Sequence, residues 1–212
     1  MLNPIAARQL IATQGERIRW FEALPCDCRD PGDPDYGDFR TCGRCEHGYV
    51  YRERVLPSHV RALVHRERRE FMHAEFGFMQ VGDLYITTMP DEIPLGNFDR
   101  VVLIERGVAK KELVRLGEDV LREEFPLVVL TVADGDTEFV AGVDYSFDEA
   151  EGRIVWLDGG ARPDGAIYTV HYRYAPVYWY TGSSMTAPRP MPGHSVQWPQ
   201  TGLLQIRHPS EG

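Results

Sequence analysis

The sequence predicts a mainly β protein, and three observations lead to this fold class. Beyond residue 58, short segments that alternate or run apolar follow one another, separated by Gly, Pro, Asp and Asn. Their turns recur at the spacing typical of antiparallel sandwiches and barrels. No convincing amphipathic helix longer than about three turns occurs in that region. We therefore predict an antiparallel β-barrel or sandwich body, with a short N-terminal helix, a cysteine-rich lobe and an extended C-terminal arm.

The N-terminal lobe begins with a predicted helix over residues 4–14, which Gly15 ends. Three apolar side chains of this helix are expected to face inward: Ile5, Leu10 and Ile11. Residues 16–24 alternate apolar with charged side chains and predict a strand that leads into the cysteines. Residues 48–55 predict a second strand that leads out of them. A strand, a cysteine knuckle and a strand together resemble a zinc ribbon.

All four cysteines lie in this lobe, as a C-x-C pair, Cys26 and Cys28, and a C-x-x-C pair, Cys42 and Cys45. The segment between the pairs consists of turn-forming residues and cannot bury a core, so a metal would supply the missing order. Thiolates suit zinc, which takes four ligands in a tetrahedron. We predict one structural Zn²⁺, because four protein ligands leave no position open for substrate. Disulfides or free thiols are the alternative, and His47 is a less favoured substitute ligand.

The remaining chain is divided by composition into a β body and an arm. The lobe comprises residues 1–57, the body residues 58–180 with a hairpin turn at Gly82-Asp83, and the arm residues 181–212. Prolines and glycines exclude a helix in the arm, yet the arm is too apolar for a solvated tail. We predict that it packs on a neighbouring molecule through five side chains, namely Val196, Trp198, Leu203, Leu204 and Ile206.

Hydropathy and charge limit the classes of function that this chain can have. The sequence contains no run of eighteen apolar residues, the length needed to span a membrane. Its N-terminus lacks the features of a signal peptide. We therefore expect a reducing cytoplasm, where stable disulfides are rare. The net charge is −9 and is segregated: residues 52–70 carry six arginines against three glutamates, whereas residues 134–158 carry eight acids against one arginine. This pattern fits either two solvated faces or complementary faces that dock between copies of the chain.

Catalytic motifs are not found. The sequence has no phosphate-binding glycine loop, no nucleophile elbow and no H-E-x-x-H. A metal-dependent hydrolase could be built only from loosely spaced residues: His59, His65 and His73 with Asp83 or Asp99. We expect the protein not to be an enzyme.

Residues 138–180, EFVAGVDYSFDEAEGRIVWLDGGARPDGAIYTVHYRYAPVYWY, carry a resemblance to a known class. A DY pair, an apolar residue before Trp, a P-x-G turn and a Y-x-V-x-Y strand followed by proline resemble virion proteins of tailed bacteriophages and prophages. The N-terminal QGERIRW followed by C-x-C and C-x-x-C-x-x-G-Y is similar to such proteins too. The resemblance implies a neck protein of the head-closure or head-to-tail connector type.

That resemblance implies a virion component assembled in the host cytoplasm, where copies of the chain form a ring. Its partners would be portal, adaptor or tail proteins, with DNA passing through without specific binding. Carboxylates that line a conduit repel phosphates and let the duplex slide. The expected conduit residues are Asp134, Asp136, Glu138, Asp148 and Glu149. The alternative function is a zinc-ribbon nucleic-acid binder, with the arginines of residues 52–70 on phosphates.

Overall fold

The computed structural model describes residues 4–29, 42–65, 83–182 and 199–206. Within these ranges the chain is mainly β, with one short helix at the N-terminus, and all pairings between named strands are antiparallel. The predicted fold class is confirmed in these respects. Neither larger sheet closes into a barrel in the described part of the chain.

The elements, in chain order, are α1 (Pro4–Gln14), β1 (Arg19–Pro25), a 3₁₀ turn (Asp27–Arg29), β2 (Tyr49–Arg54), β3 (Leu63–His65), β4 (Leu84–Thr88), β5 (Arg100–Val102), β6 (Val108–Arg115), β7 (Pro126–Asp134), β8 (Thr137–Phe139), β9 (Tyr145–Asp148), β10 (Arg153–Trp156), β11 (Ile167–Tyr174), β12 (Val177–Gly182) and β13 (Gln200–Ile206).

Two compact units share these elements. The first comprises Met1–Leu103 and Val177–His208, and its described strands form a seven-stranded sheet in the order β2-β1-β5-β12-β13-β4-β3. The second includes Ile104–Pro176 and contains a four-stranded sheet, β6-β11-β7-β8, and the β10-β9 hairpin. This division differs from the predicted one at residue 57, because β1 joins the cysteine lobe to β5 in a single sheet.

The core of the first unit lies on one face of its sheet. Trp20 on β1 and Tyr178 on β12 both pair with Val101 on β5, and all three side chains are buried. Further along, Leu204 on β13 pairs with Leu84 on β4. Alternate residues of each strand point to the same side, so this set forms one apolar layer.

The helix α1 has the predicted bounds, and the Gly15 amide donates to the Ile11 carbonyl at 2.8 Å. A Cβ at Gly15 would lie 2.3 Å from that carbonyl oxygen, which explains the glycine. Ile11 is buried as expected, together with Ala7. The expectation for Ile5 is wrong, since its side chain is 68% exposed. Ala7 and Ile11 share a helix face at a spacing of four, whereas Ile5 lies about 200° around the axis from Ala7.

The core of the second unit is aromatic. The Trp156 ring meets Phe139, Tyr145 and Tyr168 edge to face, at centroid distances of 5.1, 6.1 and 5.2 Å. Asp119 accepts hydrogen bonds from Trp156 Nε1 at 3.2 Å and from the Tyr168 hydroxyl at 2.7 Å. Tyr145, Trp156 and Tyr168 are therefore packing residues of this unit.

Candidate metal centre

The structure brings the four cysteines together at one point. Their sulfur atoms all lie within 4.8 Å of one another, and all four thiols are free. Cys26 follows β1 directly and Cys28 lies in the 3₁₀ turn, whereas Cys42 and Cys45 belong to the turn that precedes β2. The two ends of the connection between β1 and β2 thus supply two ligands each.

Pairing of β1 with β2 sets the distance between the two cysteine pairs. In that register Pro25 lies opposite Tyr49, and the Cys26 amide donates to the Gly48 carbonyl at 3.0 Å. His47 and Gly48 both have positive φ, 51° and 84°, which turns the chain sharply back into the sheet. Glycine adopts this conformation readily. The hairpin therefore orients all four thiols toward one centre without help from a core of its own.

The second pair is held by a tight turn, in which the Cys45 amide donates to the Cys42 carbonyl at 3.4 Å. The backbone N–H of Arg44 donates to the Cys42 sulfur and lowers the pKa of that thiol to about 7. Burial raises the pKa of the Cys28 and Cys45 thiols. The Cys42 thiol therefore ionises more readily than the thiols of Cys28 and Cys45. A cation at the centre would favour the thiolate form of all of them.

The spacing of the sulfur atoms fits a tetrahedral metal. Four sulfurs at about 2.3 Å from one zinc ion define a tetrahedron with edges of about 3.8 Å. Cys28 Sγ lies 3.5 Å from Cys45 Sγ, and no sulfur pair exceeds 4.8 Å. Only small shifts of the side chains would be required to bind the ion. His47 is exposed and contacts the edge of Trp179 at a centroid distance of 5.9 Å, so it is not part of the ligand set.

The knuckle is anchored on the sheet by an arginine. Arg100 on β5 has its guanidinium 3.7 Å from the centre of the Tyr51 ring and forms an ion pair with Glu46, the residue after Cys45. Nearby, Tyr49 stacks on Phe98 at a centroid distance of 5.0 Å. The sequence offered no signal for the role of Arg100, because its partners are brought close only by the pairing of β1 with β5.

Among the predicted arm residues that the structure describes, none is exposed. Val196 and Trp198 lie outside the described residues. Leu203 and Leu204 are 1% and 0% exposed on β13, and Ile206 packs beside the same core. This corrects the expectation that Leu203 and Leu204 bind a neighbour, because β13 lies between β12 and β4 and the chain's own core uses both side chains.

The five predicted conduit acids lie at or near two hairpin turns of the second unit. Asp134 and Asp148 have structural contacts: Asp134 accepts from the Gly165 amide at 3.1 Å, and Asp148 accepts from two amides of its own turn. The other three, Asp136, Glu138 and Glu149, are exposed. The structure therefore leaves these three carboxylates available at the surface.

The residues of the hydrolase alternative are not brought into one site within the described chain. Asp99 accepts from Trp20 Nε1 and from the amides of Ala23 and Gly96, each at 2.8 Å. Burial raises its pKa. Asp83 accepts from the Ile206 amide. Both acids thus accept hydrogen bonds from strands of the sheet, Asp99 from β1 and Asp83 from β13. His59 is exposed, His65 stacks on Tyr85, and His73 lies outside the described residues.

The described arginines of residues 52–70 are engaged within the chain. Arg52 and Arg54 both lie within 4 Å of Glu22, and Arg61 donates to the Gly15 carbonyl at 3.0 Å. Part of the positive charge that would contact phosphates is therefore neutralised locally.

Comparison with known proteins assigns this chain to no family. No protein-family model matches the sequence, and no curated protein is similar to it. Among the described residues, no helix is both long and apolar enough to cross a bilayer. The function is therefore inferred from the residues of the chain itself.

Proposed function

We propose that this protein is a structural virion protein of the tailed-bacteriophage neck, a head-closure or head-to-tail connector subunit that forms a ring around the DNA. The observation that carries the proposal is the packing of Tyr145, Trp156 and Tyr168 in the core of the second unit. These positions also carry the resemblance to phage virion proteins. Because core residues specify a fold, the resemblance at these positions supports a common fold with that class.

The metal in this proposal is a structural zinc ion held by Cys26, Cys28, Cys42 and Cys45. Soft thiolate ligands select zinc, copper(I) or iron–sulfur clusters, and a closed set of four cysteines is typical of structural zinc. With all four positions filled by protein, the ion would order the knuckle and would not activate water. The proposed role of the lobe is therefore mechanical, and the protein is proposed to have no catalytic activity.

The surface charge supports the conduit. Exposed carboxylates, Glu149 among them, lie within residues 134–158 of a chain whose net charge is −9. Repeated around a ring, they would present the DNA with a surface of its own sign, which disfavours tight binding. The same charge makes a nucleic-acid-binding zinc ribbon less favoured, since Arg52 and Arg54 already pair with Glu22.

Two measurements test the proposal. Elemental analysis of protein purified without chelator should find close to one zinc per chain, and a Cys28→Ser variant should lose most of it, whereas His47→Ala should keep it. Gold-labelled antibodies against the protein should mark washed phage particles at the neck. Absence of the protein from washed particles would refute the neck assignment. Tight, salt-sensitive DNA binding by the isolated chain would favour the nucleic-acid binder instead.

A further inference from the structure

Two exposed apolar surfaces lie at opposite edges of the four-stranded sheet in the second unit. The first, here called the β6 patch, consists of Leu113 on β6 and Ile167 on β11, which are 67% and 51% exposed. Leu113 pairs with Thr169, two residues from Ile167, so the two apolar side chains are diagonal neighbours on one face. Lys111 and Arg115 flank Leu113 on the same face of β6. The patch is therefore apolar and bordered by positive charge.

The positive charge of the β6 patch is largely uncompensated. Lys111 has no carboxylate within 4 Å in the described part of the chain, and Arg115 reaches only Glu118, at 3.5 Å with both side chains about two-thirds exposed. An ion pair so open to water contributes little. Both cations are therefore available to an acidic partner.

The second surface is the 140–143 loop, which follows β8. Val140 and Val143 are 56% and 63% exposed. Two unpaired acids, Asp136 and Glu138, precede the loop; within the described residues neither forms an ion pair. This loop thus presents the same combination as the β6 patch, apolar side chains beside charge, but with the opposite sign.

The 140–143 loop is held rigidly although its side chains face solvent. Asp144 accepts from the Val140 amide at 2.7 Å and from the Ala161 amide at 2.8 Å. Its own amide donates to the Val140 carbonyl at 2.8 Å, and the Gly142 amide donates to the Tyr145 carbonyl at 2.7 Å. A loop that is already ordered loses little conformational entropy when it binds.

We infer that the 140–143 loop of one copy docks on the β6 patch of a second copy. Val140 and Val143 would cover Leu113 and Ile167, with Asp136 and Glu138 near Lys111 and Arg115. In the order β6-β11-β7-β8 the two surfaces lie three strand spacings apart, about 14 Å, at opposite edges of the sheet. Different surfaces at opposite edges make a head-to-tail contact, which repeats in one direction and can close a ring. This inference rests on the proposed ring function and specifies which surfaces form it.

The test uses the full chain with its metal and three glutamate variants. Leu113→Glu places a charge in the β6 patch, and Val143→Glu places a charge in the 140–143 loop. Val55→Glu is the matched control, because Val55 lies in the first unit and is 94% exposed. Mass photometry and sedimentation should show that wild type and Val55→Glu self-associate. Each of the other two variants should weaken association at least tenfold while keeping the wild-type circular dichroism spectrum.

A mixing experiment identifies the head-to-tail arrangement. Leu113→Glu retains an intact loop and Val143→Glu retains an intact β6 patch, so an equimolar mixture should form heterodimers and nothing larger. A mixture that stays monomeric, a Val143→Glu variant that associates like wild type, or a wild type that remains monomeric would each overturn the inference. Antibody labelling of the neck is independent of these outcomes, so the contact can fail while the neck assignment stands.

Discussion

Shortening Leu204 to alanine should destabilise the first unit by about 2–5 kcal/mol, the range found for large-to-small substitutions in well-packed cores. Leu204 is fully buried on β13, in the same core as Trp20 and Tyr180. Its neighbouring strands are β12 and β4, so collapse of the backbone into the cavity would require both to move. Little relief is available, and we expect a value in the upper half of the range.

The assay is urea and thermal unfolding followed by circular dichroism and tryptophan fluorescence. At about 4 °C per kcal/mol, the transition of the first unit should fall by about 14–20 °C. Thr201→Ala on the same strand is the matched control, because Thr201 is exposed and loses only a hydroxyl contact with Thr87. Its effect should stay below about 1 kcal/mol. Equal stability of Leu204→Ala and Thr201→Ala would refute the placement of β13 in the core and return these residues to a free arm.

Two further predictions concern a carboxylate and the metal. Backbone hydrogen bonds from Val140 and Ala161 lower the pKa of Asp144. The ionised carboxylate therefore contributes its full stabilisation above the ordinary aspartate pKa of about 3.9. This stabilisation is lost as the pH falls through the lower pKa of the folded state. Asp144→Asn should flatten this acid limb of the stability curve of the second unit, whereas the exposed Asp158→Asn should retain it. Removing the metal with a chelator should abolish hydrogen-exchange protection in residues 42–54 but leave the amides shared by β1 and β5 protected. Loss of protection in the second unit as well would contradict a local role for the metal.

Local patterns sufficed for the helix, the cysteine site and the antiparallel class. The C-x-C and C-x-x-C pairs flank predicted strands, and a hairpin between those strands can only bring the pairs together. The helix of residues 4–14 could be predicted because both of its signals are local. These signals are the spacing of its apolar residues and the glycine at position 15, directly after its last residue. Each of these features depends on neighbours in sequence, which is why each could be predicted.

β13 could not be predicted in this way. Gly202 and the preceding proline interrupt the strand pattern, so the sequence predicts an extended arm at this position. The structure explains the glycine: a Cβ at position 202 would lie 2.4 Å from the Tyr180 ring. Gln200 confirms the long-range origin of the strand, because its side-chain amide donates to the Leu95 carbonyl and to the Tyr180 hydroxyl. Only pairing between distant segments makes these residues a strand.

Strand β1 determines how far the influence of the metal can extend. On one side β1 pairs with β2, which follows the turn that holds the second pair of cysteines, and on the other side it pairs with β5. Asp99 holds β1 independently of the metal, through the Trp20 indole and the Ala23 amide. The apolar layer that includes Trp20 and Val101 would therefore persist when the knuckle opens. A bound ion would order the edge of the sheet and the surface presented there, whereas the core of the first unit supplies the stability on which that edge is built.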